Sequence, residues 1–286
     1  MKSIIDIVND SPSLGDCIGW VPMVQKYAKI NNTKVNFYTP YKEIFDREKY
    51  HFVNFFDWNQ KPESEESIIK LFYNTPANFH DASLQEVACR LLNIPYEEER
   101  TVLVKKSRSS VFSKKYVCIA TQSTLQAKYW NNKSGWKKVV KYLKFLGYNV
   151  VCIDKYKSFG IKGHFNEIPN NCIDKTGDIS LQNRIDDLYN CEFFIGLGSG
   201  LSWLAWACNK PVVMISGFSK SYAEFSTPYR VINENVCNGC WNNPSVEFNF
   251  SDWMWCPEGK SFECSRKISF EMVKEKIDTL IKDNNK

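Results

Sequence analysis

Short apolar runs and longer amphipathic stretches take turns along this chain, with polar turns between them. Ile4 to Val8 predicts a first strand, and Asn9-Asp10-Ser11-Pro12-Ser13-Leu14-Gly15-Asp16 a polar turn after it. From Cys17 to Ile30, the residues Ile18, Val21, Val24, Tyr27 and Ala28 recur on one face at helical spacing. Lys34 to Tyr38 and His51 to Phe56 predict the next two strands, and Gln60 to Glu66 a charged loop. Ala82 to Leu92 reads as an amphipathic helix brought to an end by Asn93-Ile94-Pro95. Between Glu97 and Ser113 the chain turns acidic, then basic, then serine-rich, as a connection between domains does.

A second strand–helix series follows. It runs through a strand from Tyr116 to Ala120, a helix from Ser134 to Leu146 stopped by Gly147, and a strand from Asn149 to Asp154. A helix near Ser180 to Tyr189 leads to a short apolar strand from Cys191 to Ile195. Leu201 to Cys208 has the apolar density of a buried helix, and Pro211 to Ile215 is the next strand. Beyond Val231 the pattern gives way to loop, tryptophan and cysteine. It returns at Ser269 to Ile281, a helix with Ser269 as N-cap and Glu271 and Glu275 near its start. Two such series predict an α/β chain of two doubly wound domains facing a cleft, residues 1–113 and 114–286.

A length of 286 residues suits two domains of ordinary size, and no stretch is long and apolar enough to span a bilayer. The N-terminus lacks the apolar run and cleavage site of a signal peptide, so a cytoplasmic location is expected. The formal charge of +5 is modest. Lys105, Lys106 and Arg108 cluster, as do Lys137, Lys138, Lys141 and Lys144, but such runs read as solvated surface. A small anionic substrate explains the basic excess more simply than nucleic acid does.

The sharpest chemical signal is Phe194-Ile195-Gly196-Leu197-Gly198-Ser199-Gly200-Leu201-Ser202-Trp203-Leu204-Ala205-Trp206-Ala207. A strand, a glycine–serine turn and a helix put free backbone N–H groups at a helix N-terminus, where the dipole favours an anion. Gly196, Gly198 and Gly200 remove Cβ atoms that would keep a phosphate away. In the first turn Asp16 stands at the head of a helix, either as a cap or as a general base. Ser123 and Thr124 offer hydroxyls at the end of the first strand of the second series, with Lys128 a cation for phosphate oxygens. No Asp-x-Asp pair suited to a metal–nucleotide complex is present.

Seven of the 11 cysteines are scattered through apolar segments, where a reduced thiol is a small core residue. Cys237, Cys240, Cys256 and Cys264 are crowded together, with the first two in C-x-x-C spacing. Four thiolates suit a tetrahedral zinc or iron site, structural because no coordination position stays open. Such an ion is expected to order a loop that Trp241, Trp253 and Trp255 would hardly order alone. Trp203 and Trp206 read as core, and packing is the simpler reading for Trp20, Trp130 and Trp241 beside the candidate loops.

Leu14-Gly15-Asp16, Ser123-Thr124 with Lys128 and Trp130, and Gly200-Leu201-Ser202 resemble the ADP-heptose glycosyltransferases, inverting enzymes with the two-domain GT-B fold. The resemblance is closer still to the bacterial autotransporter heptosyltransferases. It runs through Ser13-Leu14-Gly15-Asp16, Trp20-Val21-Pro22, the 196–207 stretch, Ile215-Ser216-Gly217-Phe218-Ser219, Thr227-Pro228-Tyr229-Arg230-Val231-Ile232 and Cys237-Asn238-Gly239-Cys240-Trp241. It covers nearly the whole chain. Where the lipopolysaccharide enzymes carry an acid and a His, this chain has Gly198 and Trp203, as the autotransporter branch does. That branch usually has an extra N-terminal domain ahead of the motif that here begins at residue 13.

The resemblance implies heptose transfer from ADP-heptose to a hydroxyl, with a protein serine as the favoured acceptor and no metal needed for the transfer step. It implies Asp16 as the base, Lys128 as the lysine on the donor diphosphate with Ser123 and Thr124 beside it, and Ser199, Gly200, Leu201 and Ser202 around the pyrophosphate. Asp154 is placed where a ribose-binding acid would sit. It also implies iron in the four-cysteine site and assembly into a homo-oligomer. Two other readings stay open: the same fold acting on a saccharide or with another nucleotide sugar, and a non-catalytic metal-thiolate interaction module.

Overall fold

The computed structural model describes residues 4–63, 68–72, 80–105, 112–249 and 251–285. The chain divides into two units, residues 1–106 with 222–225 and residues 107–221 with 226–286.

The first unit contains β1 (Ile5–Asn9), α1 (Leu14–Ile30), β2 (Val35–Thr39), β3 (Val53–Asp57), β4 (Ile68–Leu71) and α2 (Leu84–Leu92). Its strands are all parallel, in the order β3-β2-β1-β4. Three of them lie within two residues of the expected positions. The fourth, β4, escapes notice in the sequence because Lys70 interrupts its short apolar run; pairing with β1 is what makes it a strand. Helix α1 begins at Leu14, three residues earlier than its periodicity suggests, so Asp16 falls within its first turn.

Pro22 lies inside α1 and has no N–H to give the Ile18 carbonyl. The buried Thr101 hydroxyl donates to that carbonyl instead, at 2.5 Å. Trp20 is fully buried and its indole N–H donates to the Leu84 carbonyl at 2.9 Å, tying α1 to α2. Ser83 caps α2 by accepting from the Glu86 N–H, and Asn93 closes the helix at φ 52°. Residues 222–225 join this unit, where the Ala223 carbonyl accepts the Leu84 N–H.

The second unit runs β5 (Tyr116–Ile119), α3 (Gly135–Phe145), β6 (Asn149–Cys152), β7 (Ser158–Ile161), β8 (His164–Glu167), β9 (Ile173–Asp174), α4 (Leu181–Asn190), β10 (Phe194–Leu197), α5 (Gly200–Ala207), β11 (Val212–Ile215), β12 (Arg230–Val231), α6 (Glu263–Arg266) and α7 (Phe270–Asn284). Its main sheet is parallel, in the order β12-β11-β10-β5-β6-β9. Val117, Ile119, Ile195 and Val213 from the strands pack with Val139 and Leu143 of α3 and Ile277 and Leu280 of α7. Strand β10 lies up to three residues beyond its expected place, which moves Gly196 out of the turn and into the sheet. A Cβ there would stand 2.5 Å from the Phe194 ring and 3.0 Å from the Ser202 hydroxyl. Gly196 is therefore a packing glycine, not one kept bare for a phosphate.

Strands β7 and β8 form an antiparallel hairpin unforeseen in the sequence. Its signal was Lys162-Gly163, the two-residue turn at φ 53° and 85°. The cysteine-rich loop is ordered by more aromatic residues than the three tryptophans alone. Phe218, Trp241, Phe248 and Trp255 stack together at ring separations of 4.6–5.9 Å, with Leu125 and Phe262 against them.

Thr101→Val preserves shape but leaves the Ile18 carbonyl unpaired in the core. It is expected to cost about 1–3 kcal/mol in urea unfolding, with Thr101→Ser close to the parent protein.

Candidate active site

In the second unit the chain starts at β5, moves through β6 to β9 on one side, then returns to place β10 on the other. The strand order thus switches direction between β5 and β10. Ligands bind α/β sheets at the carboxyl ends of strands at such a point, because the two loops there diverge and leave a crevice. Ile119 and Ile195 are partners across this pair, and the loops that follow them carry most of the candidate residues.

After β10, Gly198, Ser199, Gly200 and Leu201 are half-buried and form the turn into α5. Ser199 is the N-cap in extended conformation and makes no side-chain capping bond; its carbonyl takes the N–H groups of Ser202 and Trp203. The first amides of α5 carry the helix's positive end into the crevice. Ser202, expected among the donor contacts, is fully buried and donates its hydroxyl to the Leu197 carbonyl at 2.5 Å. It props the turn from beneath. Trp203 and Trp206 are core residues in edge contact, as their helical positions implied.

The loop after β5 stands on Asp154. This carboxylate is 1% exposed and accepts from the Thr121 N–H at 2.7 Å, the Thr121 hydroxyl at 2.9 Å and the Gln122 N–H at 3.2 Å. Burial raises its pKa, against the pull of the Thr121 donors. A carboxylate spent in this way serves as a strut for the loop, and the expected ribose contact is corrected accordingly. The engagement also explains why β6 stops at Cys152, short of the predicted Asp154. Arg184, likewise buried, donates to the carbonyls of Asp154, Lys175 and Gly177 and secures the far side of the same corner.

On this strut, Thr124 is exposed and Lys128 half-buried at the end of a single 3-10 turn, Gln126–Lys128. The Ser123 hydroxyl is buried without a hydrogen-bond partner among the described residues, and the buried Tyr129 hydroxyl lies against the Ser123 backbone. Burial pushes the Tyr129 phenol up, so it stays a neutral donor. A network missed in the sequence locks the loop to the hairpin. Gln126 donates to Asn131 at 2.7 Å, and Asn166 of β8 donates to Gln126 at 2.8 Å. Amides forty residues apart carry no linear signal. Trp130 packs beneath, its indole N–H donating to the Ile268 carbonyl, so it is no ligand platform.

Asp16 belongs to the first unit, where the order β3-β2-β1-β4 puts a second switch beside β1. Its carboxylate is half-buried in the first turn of α1 and accepts the Ser11 hydroxyl at 2.5 Å.

The four cysteines share one lobe. Burial and the other three thiols push Cys264 up to about 12, and burial with Cys237 and Cys256 pushes Cys240 up to about 11. Among the described residues, however, no three His, Cys, Asp or Glu side chains converge closely enough to hold a metal ion. The four cysteines expected from the spacing to form one set are neighbours in this lobe without forming a closed cluster. Four cysteine thiols are a donor set whose chemistry fits a soft metal.

No helix among the described residues is long and apolar enough to cross a membrane. Two parallel α/β sheets, with glycine–serine and lysine-bearing loops at a switch point in the second, make up an α/β fold of the glycosyltransferase type. Glycosyltransferase family 9 (heptosyltransferase) matches residues 16–251, and the chain belongs to that family.

The chain is 39% identical over 282 residues to the autotransporter heptosyltransferase BAHTCr of Citrobacter rodentium, covering 94% of this chain and 68% of that protein. It is 39% identical over 286 residues to TibC of enterotoxigenic Escherichia coli, covering 94% and 69%. The crystal structure of TibC, an iron-containing dodecameric glycosyltransferase, superposes with a TM-score of 0.92 at 35% identity over 98% of this chain and 76% of that one. A TibC complex with ADP-D-beta-D-heptose gives a TM-score of 0.90 over the same shares. BimC of Burkholderia thailandensis, named an inactive autotransporter heptosyltransferase, is 30% identical over 285 residues, covering 95% and 67%.

Asp154→Asn keeps one acceptor oxygen for the Thr121 donors and sets an NH2 against the Gln122 N–H. Thermal and urea unfolding are expected to show a loss of about 1–3 kcal/mol. ADP affinity should fall with it, because the loop loses its strut.

Proposed function

We propose that this chain transfers heptose with inversion from ADP-heptose to a hydroxyl of an acceptor protein, favouring serine, and does so with two domains in the GT-B arrangement. The observation that carries the reading is the α5 N-terminus at the β5–β10 switch point, beside a loop holding Lys128 and an unpaired, buried Ser123 hydroxyl. The relationship to a protein crystallised with an ADP-heptose supports the donor. Names given to the relatives support an autotransporter as acceptor.

In this reading Asp16 takes the proton of the acceptor hydroxyl, whose oxygen attacks the anomeric carbon. The bond to the diphosphate breaks, and ADP departs with the electron pair. Lys128 and the amides of Ser199 to Leu201 stabilise the charge that develops on the diphosphate, in place of a metal ion. Ser123 and Thr124 orient its oxygens. Cys237, Cys240, Cys256 and Cys264 hold a structural ion, iron by kinship with TibC and zinc as the alternative. When bound, it cross-links the loop and leaves the chemistry to the side chains. The protein works in the cytoplasm as a homo-oligomer, again by kinship with the dodecameric relative.

The named inactive relative gives weight to a second reading, a non-catalytic module. The presence of both Asp16 and Lys128 favours the enzyme. A thermal shift on adding ADP or ADP-heptose separates the two, since a module without a donor site shows none.

Co-expression with an autotransporter passenger domain is expected to add heptose masses to that domain. Asp16→Asn should cut transfer by about 10³-fold or more with ADP binding intact, whereas Lys128→Ala should weaken donor binding by about 10- to 100-fold. Normal transfer by the Asp16 variant would refute its role. Separately, Cys237→Ser with Cys240→Ser is expected to abolish bound metal in elemental analysis and to lower the melting temperature.

A further inference from the structure

The turn that presents Asp16 is built like a small closed ring. Asn9, fully buried at the end of β1, accepts the Ser11 N–H through its side-chain oxygen at 3.0 Å and donates its amide to the Cys17 sulfur at 2.6 Å. The Cys17 thiol in turn points to the Ser11 carbonyl at 3.8 Å. Burial pushes that thiol up to about 12, so it remains protonated and able to donate. Ser11 is therefore held on both sides of its backbone. Its hydroxyl oxygen accepts the Ser13 N–H at 3.2 Å, so its own proton points elsewhere, to the Asp16 carboxylate at 2.5 Å.

From this we infer that Ser11 is the positioning residue of the reaction. Its directed hydroxyl clamps one oxygen of Asp16 and sets the orientation in which the carboxylate meets the acceptor alcohol. The inference rests on Asp16 being the base. An aspartate side chain has two rotatable bonds, orientations turned from the acceptor are lost to the reaction, and the hydrogen bond from Ser11 to one carboxylate oxygen narrows the range it samples. Locking it before substrate arrives removes that loss, and the benefit falls on turnover rather than on donor binding.

Steady-state release of ADP from ADP-heptose, with a recombinant autotransporter passenger domain as acceptor, tests the inference. Ser11→Ala and the nearly isosteric Ser11→Cys are expected to lower kcat by about 10- to 100-fold, with KM for the donor changed less than about twofold. Ser11→Thr keeps a hydroxyl and should restore most of the rate. In the Asp16→Asn background Ser11→Cys should cost nothing further, because the two residues act as one unit. A Ser11→Cys enzyme with unchanged kcat, beside an inactive Asp16→Asn, would overturn this inference alone. So would an equal loss in both backgrounds. Full turnover by Asp16→Asn would overturn the reading of Asp16 as base, and this inference with it.

Discussion

Parallel pairing of β5 with β10 on one flank and β6 on the other is the constraint from which the second unit's chemistry follows. Both neighbours run in the same direction as β5, so all three strands deliver their loops to the same edge of the sheet. Strand order reverses between β5 and β10, the point at which open α/β sheets generally bind ligands. The groups proposed to meet the donor diphosphate stand on that edge: the α5 amides, the Ser123 hydroxyl and Lys128.

A second theme is that the exposed turns stand on buried polar groups. Asp154 supports the β5 loop, Ser202 supports the β10 turn, and Ser11 with Asn9 supports the turn of Asp16. The physical reason is common to all three. An irregular turn has backbone groups without ladder partners, and a side chain below the turn supplies them in a single geometry. Such supports rigidify a loop while leaving its upper surface free for a ligand. They also account for why several residues of site-like type prove to be structural.

The cysteine lobe obeys a different logic. Its aromatic cluster supplies apolar burial without any ion, and burial together with the neighbouring thiols raises the pKa of Cys264 and Cys240. Gly217 shows how tightly the lobe is fitted to the sheet: a Cβ there would stand 2.6 Å from the Cys264 carbonyl oxygen.

By itself, the amino-acid sequence determined the α/β class, most strands and helices, and the turns that hold Asp16, Lys128 and Ser199 to Leu201. These are local features, written in period, punctuation and residue type. Tertiary structure alone decided which of the site-like residues are taken up as supports of the fold. Asp154 and Ser202 are consumed by backbone partners, Gly196 is claimed by the Phe194 ring, and Ser11 acquires its direction from Ser13 and Asn9. A side chain's type states which bonds it is able to make. Which of them it does make depends on what the fold brings within about 3 Å of it.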